Sequence, residues 1–184
     1  MKTLIGLSFL FAVGSANALV MSPGFEAGAL PEHSYTVYIP SDMVQTEPDR
    51  EQSQSCDFFL KDSNKVCDVK FIMFKQTDPG PISKDQIVFW SQLVSMNIAE
   101  DDSGIKGMKA FPDAAVAKEF NGDSGVNVFI DNATAPFLEG HRYGMANFFY
   151  KKDLGIMCEV LLFDDINIAR QPGFMTLFHL FKFN

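Results

Sequence analysis

Two apolar runs, Tyr143 to Tyr150 and Gly155 to Phe163, flank a charged tip of Lys151-Lys152-Asp153-Leu154. That arrangement predicts a β-hairpin. Successive strand side chains point to opposite faces of a sheet. These runs are apolar at both parities, with Phe148, Phe149, Tyr150, Leu161, Leu162 and Phe163 the densest group. Both faces of the hairpin therefore need cover, which demands a layer on each side of the sheet. Val66 to Lys75 reads the same way. Val69, Phe71 and Met73 alternate with Lys70, Ile72 and Phe74, as in a central strand.

One helix is clearly signalled. Asp78-Pro79-Gly80-Pro81 breaks the strand, and Ser83-Lys84-Asp85-Gln86 has the form of a capping box. Ile87, Trp90, Val94 and Ile98 then recur at helical spacing, and Trp90 is expected to anchor the core against the Val69–Phe74 strand. Further strands are expected at 35–39, 56–61, 105–111 and 126–131. A short helix is expected at 112–120 and a closing helix at 171–178, with residues 19–34 an irregular lead-in and 40–55 a mobile surface loop. Strands come in runs instead of alternating strictly with helices. The fold class is thus α+β, a mostly antiparallel sheet packed by helices near 83–98 and 171–178.

The first eighteen residues carry an address. Met1-Lys2, the apolar stretch from Leu4 to Val13, and Ala16-Asn17-Ala18 form the three zones of a secretory signal peptide. Cleavage after Ala18 is expected, giving a secreted or periplasmic protein with a single α+β domain over 35–184. The apolar stretch is about ten residues long, whereas crossing a bilayer takes about 20. No stable membrane insertion is expected after cleavage. The formal charge of −8 and the lack of a basic cluster exclude nucleic acid as a natural partner.

In an oxidising compartment two of the three cysteines, Cys56, Cys67 and Cys158, are expected to pair. Cys56–Cys67 closes the shortest loop and ranks first. A simple hairpin about residues 62–65 would set Cys67 opposite Leu60 and forbid that bond. Cys158 sits in an apolar run and reads as a buried thiol.

The order of elements resembles the PsbP-like α/β/α sandwich, a fold of secreted or lumenal accessory proteins. The resemblance is carried by the opening strand ending in Pro40, the strand-then-helix unit from Val66 to Asn97, the long hairpin, and the ending Leu177-Phe-His-Leu-Phe-Lys-Phe183. Residues 100–140 depart from it. It implies a sandwich but no site residues, because one fold hosts many functions.

The chemistry-bearing motifs are sparse. Gly122-Asp123-Ser124-Gly125 lacks the residues that follow a serine-protease nucleophile. His33, His141 and His179 have no zinc-like spacing, and no cofactor motif or metal-ligand set is present. Asn132-Ala133-Thr134 is a glycosylation sequon by pattern. The surplus of aromatic residues, with 19 Phe, points to a binding or accessory protein acting through apolar surface near the hairpin. Phe148, Tyr150 and Phe163 are its candidate binding residues, and another protein or an apolar small molecule is the expected partner. The alternative is a small extracellular hydrolase using His141, in its polar loop near Glu139, with a nearby carboxylate.

Overall fold

The computed structural model describes residues 20–21, 24–38, 43–45, 55–60, 67–78, 80–170 and 174–184. The proposed signal peptide lies outside them. The strands are β1 Val20–Met21, β2 Phe25–Ala27, β3 Tyr35–Val37, β4 Met43–Gln45, β5 Ser55–Leu60, β6 Cys67–Gln76, β7 Ile105–Ala110, β8 Ser124–Asp131, β9 Tyr143–Lys151, β10 Gly155–Phe163 and β11 Phe181–Phe183. The α-helices are α1 Lys84–Ile98 and α2 Asp113–Phe120, with further 3-10 turns at Pro136–Leu138, Ile168–Arg170 and Phe174–His179.

Among the described residues, nine strands form one sheet with the path β1-β2-β6-β10-β9-β8-β7. β5 joins β6 beside β2, and β4 joins β5. Every pairing is antiparallel. The fold is α+β, as the runs of strands predict. The hairpin supplies the two central strands β9 and β10, paired from Gly155↔Lys151 to Phe163↔Tyr143. Its tip needs glycine at position 155. There φ is +143°, and a Cβ would lie 2.0 Å from the carbonyl oxygen of Phe74.

Each sheet face has its own core. On one face α1 lays Ile87, Trp90, Val94 and Ile98 over Val126, Val128, Ala146, Phe148 and Cys158. The capping box forms as the sequence predicts. The Gln86 amide donates to Ser83 Oγ at 3.2 Å, and the Ser83 amide donates to Gln86 Oε1 at 2.8 Å. Trp90 is buried, with its ring edge-on to Phe74 at 4.6 Å. On the opposite face, Val69, Phe71, Phe149, Met157, Leu161 and Phe163 are covered by α2 and by the C-terminal segment with Phe174, Leu177, Phe178 and Phe181. α2 can approach closely because Gly125 lies beneath it. A Cβ there would sit 3.1 Å from Val116 and 3.0 Å from Phe111.

Several expectations are corrected. The lead-in is not wholly irregular: β1 and β2 lie in it, and β2 extends the edge of β6, because Phe25 packs on Trp90 at 5.4 Å. The segment 40–55 is not one loop, since Met43–Gln45 pairs with β5. The closing helix at 171–178 is a 3-10 helix over Phe174–His179, so α2 is the second α-helix of the sandwich. β3 leaves the main sheet and pairs with β11 instead.

The Cys56–Cys67 bridge does not form. β5 and β6 are a simple hairpin in register: Cys56 pairs with Phe71 and Phe59 with Asp68. Cys67 thus lies four positions along the strand from the residue opposite Cys56. At about 3.4 Å per residue that separation is too long for a disulfide. Cys67 and Cys158 are free, buried thiols. Burial, helped by the neighbouring Asp68, pushes the Cys67 thiol up to about 12, and burial raises Cys158 as well. Both are poor nucleophiles.

Candidate functional site

His141, the one catalytic candidate of the sequence, is gripped from both sides. The chain leaves the Pro136–Leu138 turn through Glu139 and Gly140, both at positive φ, and delivers His141 to the end of the sheet. Its Nε2 lies 2.9 Å from Asp68 Oδ2 on β6, and its Nδ1 lies 3.1 Å from Asp164 Oδ2 just past β10. The Arg142 amide donates to the other Asp164 oxygen at 3.0 Å. Beside this cluster Lys70, itself buried, pairs with Glu139 and lies 5.7 Å over the Phe137 ring.

The arrangement brings His141 to carboxylates, as the hydrolase alternative requires, but it occupies both ring nitrogens. A neutral imidazole donates from one nitrogen only, so both bonds are complete only in the imidazolium. A general base keeps one nitrogen for the proton it moves. The two carboxylates also stand at opposite ring nitrogens, so they do not converge on one point with the imidazole. Among the described residues no three ligating side chains gather as a metal site. The cluster can act as a clasp that ties β6, the loop before β9 and the segment after β10.

The candidate binding residues of the hairpin are core. Phe148 is fully buried, with Trp90 against its ring at 5.6 Å. Tyr150 is buried, and its hydroxyl donates to Gln76 Oε1 at 3.1 Å. Phe163 is enclosed by Phe129, Tyr143 and Phe174. None of the three offers surface to a partner, because α1 covers one face and the C-terminal segment the other. Ser124, in the protease-like loop, is buried at the start of β8.

A different residue of the hairpin stands out. Glu159 lies mid-way along β10 and is fully buried. Its parity with Met157 and Leu161 directs it into the phenylalanine-rich layer under α2 and the C-terminal segment. Its cross-strand partners are Phe71 on β6 and Asn147 on β9. Asn147 is fully buried too, and the next residue across the sheet is Asn127 on β8. The row Glu159–Asn147–Asn127 then reaches the sheet edge at the exposed Lys109 of β7.

The hydrogen bonds of this row are incomplete. Asn127 Nδ2 donates to Asn147 Oδ1 at 2.7 Å. Among the described residues no well-formed hydrogen bond reaches Asn147 Nδ2 or either Glu159 oxygen, all inaccessible to solvent, although the Asn147 amide lies close enough to favour the ionised carboxylate. Burial pushes the Glu159 carboxyl well above the usual range, and the adjacent Asn147 amide offsets only part of that. The carboxyl is held neutral in the folded chain. Such a group costs about 1–3 kcal/mol for each donor or acceptor left unmade. Glu159, a single charge inside an apolar run, is not among the candidates the sequence offers. Pairing the hairpin about its tip would have set it opposite Asn147.

No protein-family model, no curated protein and no solved structure matches this chain.

Proposed function

We propose that the protein is a non-enzymatic binding protein whose ligand is a small apolar molecule with one polar group. The ligand is held in the phenylalanine-rich layer, with that group against Glu159 and Asn147. One observation carries this reading. Two adjacent side chains, both fully buried, leave three polar atoms without a well-formed hydrogen bond among the described residues, in the middle of an otherwise apolar layer. Ligand sites have this composition, mostly apolar with a few placed polar groups. The apolar surface expected at the hairpin is in this reading interior surface. Secretion through the N-terminal signal is part of the same proposal, as is the PsbP-like sandwich, which the two covered faces and the buried Phe181 and Phe183 support.

Glu159→Leu tests it. The variant is expected to fold, to be more stable than the parent, and to lose ligand uptake measured on the purified chain against extracts of apolar small molecules. Unchanged uptake overturns the reading. In the same assay His141→Ala is expected to lower the melting temperature and to leave uptake intact. A hydrolytic activity that disappears with His141 would return the alternative to first place.

A further inference from the structure

Resting on that binding reading, we propose that the polar group of the ligand is an amine, bound as an ammonium ion on the Glu159 carboxylate beneath the rings of Phe71, Phe149 and Phe181. The donor and acceptor inventory points this way. The bond from Asn127 takes one lone pair of Asn147 Oδ1, and the Asn147 amide is the donor beside Glu159. One oxygen of the neutral Glu159 carboxyl can take that amide; the other carries a proton with no acceptor among the described residues to receive it. Among the described residues neither oxygen is bonded to a Lys, Arg or His. A carboxylic acid brought here would set a second acidic group against the first, which disfavours ionisation of both. An alcohol would bond the carboxyl without taking its proton. An amine takes that proton and leaves a paired ammonium and carboxylate.

The surrounding groups suit a cation. Phe71 lies directly across the strand pair from Glu159, and Phe149 is the diagonal neighbour on β9. Phe181 packs on both, at 6.1 Å from Phe71 and 5.1 Å from Phe149, over the face from which Glu159 projects. Ring faces attract cations, more so when water is excluded. The net charge of −8 favours approach of a cation. The proton balance is simple. In water the amine is an ammonium ion. It gives one proton to solvent as the neutral amine enters, the Glu159 O–H bond breaks and an N–H bond forms. The products are a paired carboxylate and ammonium, with one proton released to solvent for each ligand bound.

The experiment uses the full mature chain and three probes of equal length: n-octylamine, 1-octanol and octanoate. Binding is read by isothermal titration and by the shift in melting temperature, for the parent, Glu159→Gln and Glu159→Leu. Octylamine is expected to bind the parent at least tenfold more tightly than octanol or octanoate, and at least tenfold more tightly than it binds either variant. Near-ultraviolet circular dichroism checks that the variants remain folded. If octanol or octanoate binds best and Glu159→Leu abolishes it, the site stands and the amine is wrong. If no probe binds, or if the variants bind octylamine as the parent does, both this proposal and the binding reading fall.

Discussion

At the scale of single residues, Glu159 has the largest expected consequence. In the unfolded chain it titrates near the ordinary glutamate value of about 4.3, whereas burial holds it protonated well above that in the fold. Between those two values the native chain binds a proton that the unfolded chain has lost. Stability therefore falls as pH rises through that window, by at most about 1.4 kcal/mol per pH unit. Denaturant titrations from pH 4 upward are expected to show this slope in the parent and not in Glu159→Gln. Glu159→Leu is expected to gain about 1–3 kcal/mol at neutral pH, because it removes unmade hydrogen bonds. A loss of stability in the leucine variant would mean that the carboxyl has a partner. Asn132 is the second case. Its Nδ2, the atom a glycan would take, donates to the Ala99 carbonyl at 2.6 Å, and its Oδ1 accepts from the Thr134 hydroxyl at 2.8 Å. The sequon is used to close the end of α1. Asn132→Ala is expected to cost about 1 kcal/mol. The mass of chain exported from a eukaryotic host is expected to show Asn132 unglycosylated, and a glycan found there would contradict this assignment.

Elements were legible where the signal was local. The hairpin, α1 with its capping box, α2 and β8 all follow from spacing and turn chemistry within about fifteen residues. The tail was misread because Phe174, Leu177 and Phe178 have helical spacing, yet the chain there is a single six-residue 3-10 stretch. β1, β2 and β4 were missed because strands of two or three residues carry no periodicity of their own. Their partners β2 and β6, or β5, decide them. The site was least legible. His141 meets Asp68 and Asp164 from 73 and 23 residues away, and no pattern in the sequence announces such a meeting. For α1, the prediction is energetic. Trp90 touches Phe25, Phe74 and Phe148 on the sheet, so Trp90→Ala is expected to cost about 3–5 kcal/mol. Ser83→Ala removes one half of the capping box and is expected to cost about 1 kcal/mol. Equal losses in the two variants would show that α1 is not held by its buried face.

At the scale of the whole molecule, the two covers of the sheet are unequal. One is a single helix of fifteen residues with a cap at its start. The other is assembled from the eight residues of α2, a six-residue 3-10 stretch, and a sheet of two three-residue strands. β11 and β3 pair with each other and not with the nine-stranded sheet. Beyond that pairing the C-terminal segment is tied at its ends: Asn121 Nδ2 donates to the Phe183 carbonyl at 3.1 Å, the Tyr38 amide to the Leu180 carbonyl at 2.5 Å, the Asn184 amide to the Ser34 carbonyl at 2.9 Å, Asn184 Nδ2 to the His33 carbonyl at 2.7 Å, and the Thr36 hydroxyl to Asn184 Oδ1 at 2.9 Å. Short paired strands of this kind open at lower cost than central strands. The layer over Glu159 is thus the one that opens first, which is what access to a buried site requires. Native-state hydrogen exchange is expected to show it. The paired amides of β3 and β11 should exchange at least about tenfold faster than those of β9 and β10, through an opening that leaves α1 protected. The proposed amine ligand should slow that exchange, because it binds the closed form and mass action then favours closure. Exchange of β11 at the same rate as β10 would mean that the layers part only on global unfolding, and a ligand could then reach Glu159 only by way of the polar row from Lys109.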